Sequence, residues 1–122
     1  MSNPTRWTVI FYEDARGVRP VDDWLSELDP KSQARITRTI GLLESYGTQL
    51  PMPHSRHERG KIWELRIASG KHDYRVLYCA VVGRRFVLLH AFSKRTRKTP
   101  PAELETAERR LTDYVKRHER GA

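Results

Sequence analysis

Apolar and polar positions alternate in four short stretches of this chain, and apolar positions recur every three or four residues in three others. Arg6 to Glu13 (RWTVIFYE) is dense in β-branched and aromatic residues, with Trp7, Val9 and Phe11 facing one way and Thr8, Ile10 and Tyr12 the other. This predicts a first strand. After the turn Asp14–Gly17, Pro20 suits a first helical position and Asp22 and Asp23 complement the helix dipole. Val21, Trp24, Leu25 and Leu28 then mark a short amphipathic helix. Asp29-Pro30 caps and restarts the pattern, Ile36, Ile40 and Leu43 form a buried stripe, and Gly47 is a left-handed stop. The two helices read as a hairpin.

Thr48 to Gly60 (TQLPMPHSRHERG), rich in Pro, His and Arg, reads as a loop. Three strands follow: Ile62–Ile67 with Trp63, Leu65 and Ile67 inward, Asp73–Val82, and Arg85–Phe92. The links between them are too short for crossover helices, so the three strands form an antiparallel meander. Ser93–Thr99 (SKRTRKT) leaves the sheet as a basic exit, and after Pro100-Pro101 a stripe of Leu104, Ala107, Leu111, Tyr114 and Val115 predicts a final helix. The order is β-α-α-β-β-β-α in one domain, residues 1–122. The class is α+β, a small, mostly antiparallel sheet with a helical hairpin and a C-terminal helix covering one side.

Composition narrows the class of partner. Of the 23 basic residues 17 are Arg, and the formal charge is +8. Between Arg56 and Lys98 stand 12 Lys/Arg against 3 acids, a local +9, while the remainder holds 11 basic and 12 acidic residues. The whole excess belongs to the strand region, which points to a polyanion, most often nucleic acid. The single cysteine, Cys79, allows no internal disulfide and fits a reducing compartment. No apolar run is long enough to span a membrane, and the polar start MSNPTRWT reads as no signal peptide, so a cytoplasmic protein is expected.

The sequence carries no Gly-rich phosphate loop, HExxH, paired Cys ligands or Ser nucleophile elbow. His54 and His57 lack Cys or carboxylate partners and read as exposed loop histidines rather than as a metal site. The distinctive residues are cations and aromatics. A buried unpaired Arg is costly, which places Arg75 on the side of Glu64 and Arg66. Lys94 and Arg95 would reach the same rim, giving a concave array able to hold a phosphate or stabilise a pentavalent phosphoryl transition state. Phe92 or Tyr74 could stack a base. Arg97 and Lys98 extend the basic exit. The plainer readings stand beside these: Arg66 and Arg75 as ion-pair partners of Glu64 and Asp73, and His90 as a satisfied, half-buried histidine.

IWELRI, DYRVLY, RFVLLHAFSKRTRKTP and a terminal helix containing AELETAERR, in that order, resemble the RelE/ParE toxin superfamily, most of all its phage-derived HigB-like branch. The resemblance implies a RelE-like fold and the toxin of a type II toxin–antitoxin system. It also implies a ribosome-dependent mRNA endonuclease that needs neither metal nor cofactor. There the ribose 2′-OH attacks the adjacent phosphate while basic side chains orient the RNA. Carried onto this chain, Arg75 matches the strand Arg that stabilises phosphate, Lys94 and Arg95 match the basic strand-exit residues, and Arg66 is the next candidate. Tyr74, His90, Phe92, Arg97 and Lys98 are the expected substrate contacts. Arg95 stands where a second Lys is common and Glu64 where some relatives carry a Lys, which leaves the general base open among His90, His54 and Tyr74. The implied partners are the ribosome and mRNA, and a cognate helix-turn-helix, HigA-like antitoxin through which alone operator DNA would be met. Two other readings share the architecture: a ParE-type toxin that binds DNA gyrase, and a basic nucleic-acid-binding module. In the endonuclease reading, Arg75→Ala abolishes toxicity with little loss of stability.

Overall fold

Asp29 and Gly47 mark the two ends of the longer hairpin helix. In a computed structural model of the chain, which describes residues 6–51 and 53–118, the Asp29 side chain accepts from the Ser32 N–H at 3.1 Å. Pro30 begins the helix there. Gly47 ends it at φ +58°, and a Cβ on Gly47 would lie 2.3 Å from Trp7 Nε1, so both backbone and space require glycine. Met1–Thr5 of the polar start, Met52 of the loop, and residues 119–122 lie outside the described residues.

The elements are β1 (Thr8–Phe11), α1 (Pro20–Ser26), α2 (Pro30–Tyr46), a 3₁₀ turn (Gly47–Gln49), β2 (Ser55–Arg59), β3 (Ile62–Ser69), β4 (His72–Val81), β5 (Arg85–Ser93) and α3 (Pro101–His118). The five strands lie in the order β1-β5-β4-β3-β2. β1 runs parallel to β5 and the other pairs are antiparallel. The α+β class, the meander, the helical hairpin and the C-terminal helix stand as the sequence predicts. Among the described residues no helix is long and apolar enough to cross a membrane.

Three expectations are corrected. The stretch read as a loop contains β2, which pairs Ser55 with Leu65 and His57 with Trp63. Its polar side chains hid it, because an edge strand needs only one apolar face or none. The helices cover both faces of the sheet, not one. Leu65, Ile67, Tyr74, Val76, Tyr78, Phe86 and Leu88 pack with Val21, Ile36, Ile40 and Leu43 of α1 and α2. Ile62, Leu77, Cys79, Val87, Leu89 and Phe92 pack with Leu104, Ala107 and Tyr114 of α3. This is why β4 and β5 read as nearly continuous apolar runs: both alternating sets are buried. Trp63, expected inward, is 39% exposed. Its ring lies against His57, its register partner, at 5.1 Å.

Two bulges set the site. The β4–β5 register jumps at Leu89, so Leu89 and His90 both turn toward α3. The β2–β3 register jumps between His57 and Arg59, leaving Glu58 as the extra residue. Bulges re-aim side chains in this way.

Candidate nucleic-acid interface

β2 stops pairing with β3 at Leu65, and the last half of β3 from Arg66 to Ser69 is left without a strand on that side. A groove of about 860 Å³ opens there between α2, the Pro53–His54 segment and the ends of β3 and β4. Its cationic lining is Lys31, Arg35 and Arg38 from α2, and Arg66 and Arg75 from the sheet. Its one lining carboxylate among the described residues is Asp73. Lys31, Arg35 and Arg38 are spaced i, i+4, i+7, which puts them on one side of α2. That spacing was the legible signal for this wall. It escaped the count of excess charge because acidic residues elsewhere offset it.

Behind the groove, on the α3 face, lies a buried charge cluster. Arg66 and Arg75 are register partners, so their side chains share that face with Glu64, as expected. Glu64 is completely buried. Its Oε1 lies 2.6 Å from Arg75 Nε, 3.8 Å from Lys94 Nζ and 4.0 Å from Arg66 Nε. The Arg75 N–H is not aimed at the oxygen, so the 2.6 Å contact is a charge pair rather than a hydrogen bond. Thr99 donates to Glu64 Oε2 at 2.6 Å. Arg75 also donates to the Tyr74 carbonyl at 2.9 Å and to Asp73 Oδ1 at 3.3 Å.

The expected array therefore exists in part, and it is arranged differently. Arg66, Arg75 and Lys94 do meet, but around an internal carboxylate and not around an open hollow. The side chains of Arg75 and Lys94 are each 4% exposed, while Arg66 remains partly open. This geometry argues against the expectation that Arg75→Ala costs little stability. Removing one partner of a buried charge pair leaves the other uncompensated, at about 3–5 kcal/mol.

The basic exit is closed at its base, because Lys94 and Thr99 both reach Glu64. Arg95, Arg97 and Lys98 are displayed between them as an exposed loop. The expected aromatic contacts are elsewhere. Tyr74 is buried on the opposite face, with its hydroxyl 3.1 Å from Ser32 Oγ and its ring against Trp24 and His72. Phe92 is buried in the α3 cluster beside His90. His90 is tied to Glu103 at 3.2 Å and to Arg110 at 3.1 Å. His54 stands on the groove wall. The Tyr74 and Phe92 rings thus offer no open face for stacking.

Burial and these neighbours shift the protons. Burial pulls the Lys94 ammonium below the usual lysine range, helped by Arg75 and Arg66 and opposed by Glu64. Burial would raise Glu64, but hydrogen bonds from Glu58 and Thr99, with Lys94 and Arg75, bring it below the ordinary value. Glu58 is pushed up to about 7, first by burial and then by its hydrogen bond to Glu64. His90 is lowered by burial against the raising influence of Glu103.

Sequence reasoning missed Glu58, which fell in the presumed loop, and Thr99 as the latch of the basic exit. The arrangement can bind anionic backbone through Arg66, the α2 cations and the exposed loop, with a rigid charged cluster behind it. No curated protein matches the chain. Residues 23–112 match the family described as Phage derived protein Gp49-like (DUF891). This chain of mixed sheet, basic groove and latched basic loop therefore belongs to the Gp49-like family of phage-derived, toxin-like proteins.

Proposed function

We propose that this protein is the toxin of a type II toxin–antitoxin system, of the HigB-like branch of the RelE/ParE superfamily, and that it cleaves mRNA on the translating ribosome. The observation that carries the reading is the groove, lined by Lys31, Arg35, Arg38, Arg66 and Arg75 with Asp73 as its one carboxylate among the described residues. Such a lining suits the closely spaced phosphates of a single strand.

In the proposed reaction the 2′-OH loses its proton and its oxygen attacks the adjacent phosphorus. The P–O5′ bond breaks, leaving a 2′,3′-cyclic phosphate and a 5′-OH that takes up a proton. Arg66, with Arg75 at the groove floor, stabilises the added negative charge of the pentavalent state. One such donor contributes about 3–4 kcal/mol in comparable sites. Lys94, with its lowered proton affinity, is the proton carrier of the cluster. Arg95, Arg97 and Lys98 grip flanking RNA from the exposed loop, and the α2 cations hold the strand in register. The step is proposed to need no metal or cofactor. The cognate antitoxin, a helix-turn-helix protein that alone contacts operator DNA, lays an acidic segment over the groove, which electrostatic complementarity favours. The site of action is the cytoplasm, where ribosomes translate.

Expression of the protein alone tests this reading. Growth arrest with primer-extension stops inside translated mRNA is the expected result, and Arg66→Ala, at a partly open position, weakens both. Intact mRNA with accumulated gyrase-linked DNA breaks would replace it with the gyrase-binding reading. Harmless expression with salt-dependent RNA binding would leave a nucleic-acid-binding module.

A further inference from the structure

Glu58 is the bulged residue of β2, between Arg56, which pairs with Glu64, and Arg59, which pairs with Ile62 of the α3-facing cluster, so its carboxyl group stands beside that of Glu64 at the basic rim. Two carboxylates only accept hydrogen bonds, so that contact closes when one of them carries a proton. Glu64 is the poorer holder of it. Its carboxylate already faces Arg75, Lys94 and Arg66, and it accepts from Thr99. Glu58, placed there by the bulge in β2, is left with the proton.

We propose that Glu58 and Glu64 share one proton and together set the charge and posture of the basic rim, with Glu58 acting through Glu64 as a positioning residue for phosphate binding. The proposal rests on reading the groove as an RNA site. With the proton in place, one carboxylate stands among the three cations Arg66, Arg75 and Lys94, and the cluster is net positive by two. Without it, two carboxylates stand there and the excess falls to one. The second negative charge also competes for Lys94, whose contact with Glu64 closes the base of the exposed loop.

The surrounding groups fix the sign of the effect. Arg56 faces Glu58 from β2, and Lys94 faces it from the exit of β5; both favour the ionised form. Asp73 sits on Arg75 from β4. Glu108 of α3 is held 2.7 Å from Arg59, the residue next to Glu58. Burial and Glu64 favour the protonated form. Protonation therefore strengthens phosphate binding, and binding weakens as pH rises through neutrality.

Carbon-13 NMR of the side-chain carboxyls of the full chain, with Glu58→Gln for assignment, reads the pair directly. The Glu58 signal is expected to titrate at about 7, with the Lys94 Cε signal moving at the same midpoint. A second measurement is the affinity of an uncleavable 2′-O-methyl RNA oligonucleotide from pH 6 to 8 at fixed ionic strength. It is made in a His54→Gln background so that the groove histidine does not contribute. The affinity is expected to fall about fivefold over this range, the change that follows if bound phosphate raises the Glu58 pKa from about 7 by about one unit. Glu58→Gln is expected to hold the low-pH affinity across the range. A Glu58 midpoint below about 5, or an unchanged pH slope in Glu58→Gln, would overturn the proposal. Absence of RNA binding at every pH would retract the RNA reading, while the shared midpoint of Glu58 and Lys94 would still decide whether the pair governs the cluster.

Discussion

Replacing Glu64 by Gln keeps the shape of the side chain and an acceptor for Thr99, and removes only the charge. The partners left behind are Arg75 and Lys94, both almost fully buried. Breaking a buried ion pair from one side costs about 3–5 kcal/mol in general. Two features reduce that here. Arg75 keeps Asp73 and the Tyr74 carbonyl, and Lys94 can shed its proton because burial already weakens its hold. The expected loss is therefore about 3 kcal/mol, a large part of the ~6–18 kcal/mol that a domain of 122 residues holds in total. Urea unfolding followed by tryptophan fluorescence and circular dichroism measures it, and the melting temperature should drop by roughly 10 °C. Adding Arg75→Met to Glu64→Gln should cost less than Arg75→Met does alone, with a coupling of at least about 1 kcal/mol. A loss under about 1 kcal/mol for Glu64→Gln, or strict additivity of the pair, would show that the cluster is not the organising contact described above.

Other consequences can be checked independently. Glu58 has a folded-state pKa raised from 4.5 to about 7, so the fold holds its proton more tightly than the unfolded chain and loses stability as pH climbs between those values. Discounted for partial exposure, the loss is about 1–2 kcal/mol. Glu58→Gln should match the wild type near pH 4.5 and exceed its stability by about 1 kcal/mol at pH 8, as read by urea midpoints. Arg35→Ala and Arg38→Ala should leave stability within about 0.5 kcal/mol, since both side chains lie on the groove side of α2. Each should lower the slope of log affinity against log salt for single-stranded RNA by about 0.7. Gly47→Ala meets both a left-handed backbone and the Trp7 ring; it should destabilise by more than about 1 kcal/mol and shift tryptophan emission.

Most of the fold was legible because its cause is local. Asp29-Pro30 and Gly47 delimit α2 through capping and backbone conformation, and the short links Gly70-Lys71 and Gly83-Arg84 leave room only for hairpins. β2 was not legible, since Ser55–Arg59 offers no apolar alternation and gains its order from pairing with β3. The placement of α3 on the second face was written only in the unbroken apolar runs of β4 and β5, which suit a sheet covered on both sides. In the site, alternation correctly joined Glu64, Arg66 and Arg75 on one face. It could not tell that the Lys94–Thr99 segment folds back to seal Glu64, because that contact spans distant parts of the chain. Tyr74, offered as a stacking ring, lies on the face opposite Arg75, where strand alternation itself puts a neighbour in sequence.

The most direct measurement is cleavage of mRNA by the purified protein in a reconstituted translation reaction, with the ends of the products characterised. The groove and its cations predict cuts within the translated region that leave 2′,3′-cyclic phosphate and 5′-OH termini, and markedly slower cutting by Arg66→Ala. Message that stays intact beside an actively translating ribosome, with the folded protein bound or unbound, would contradict the account.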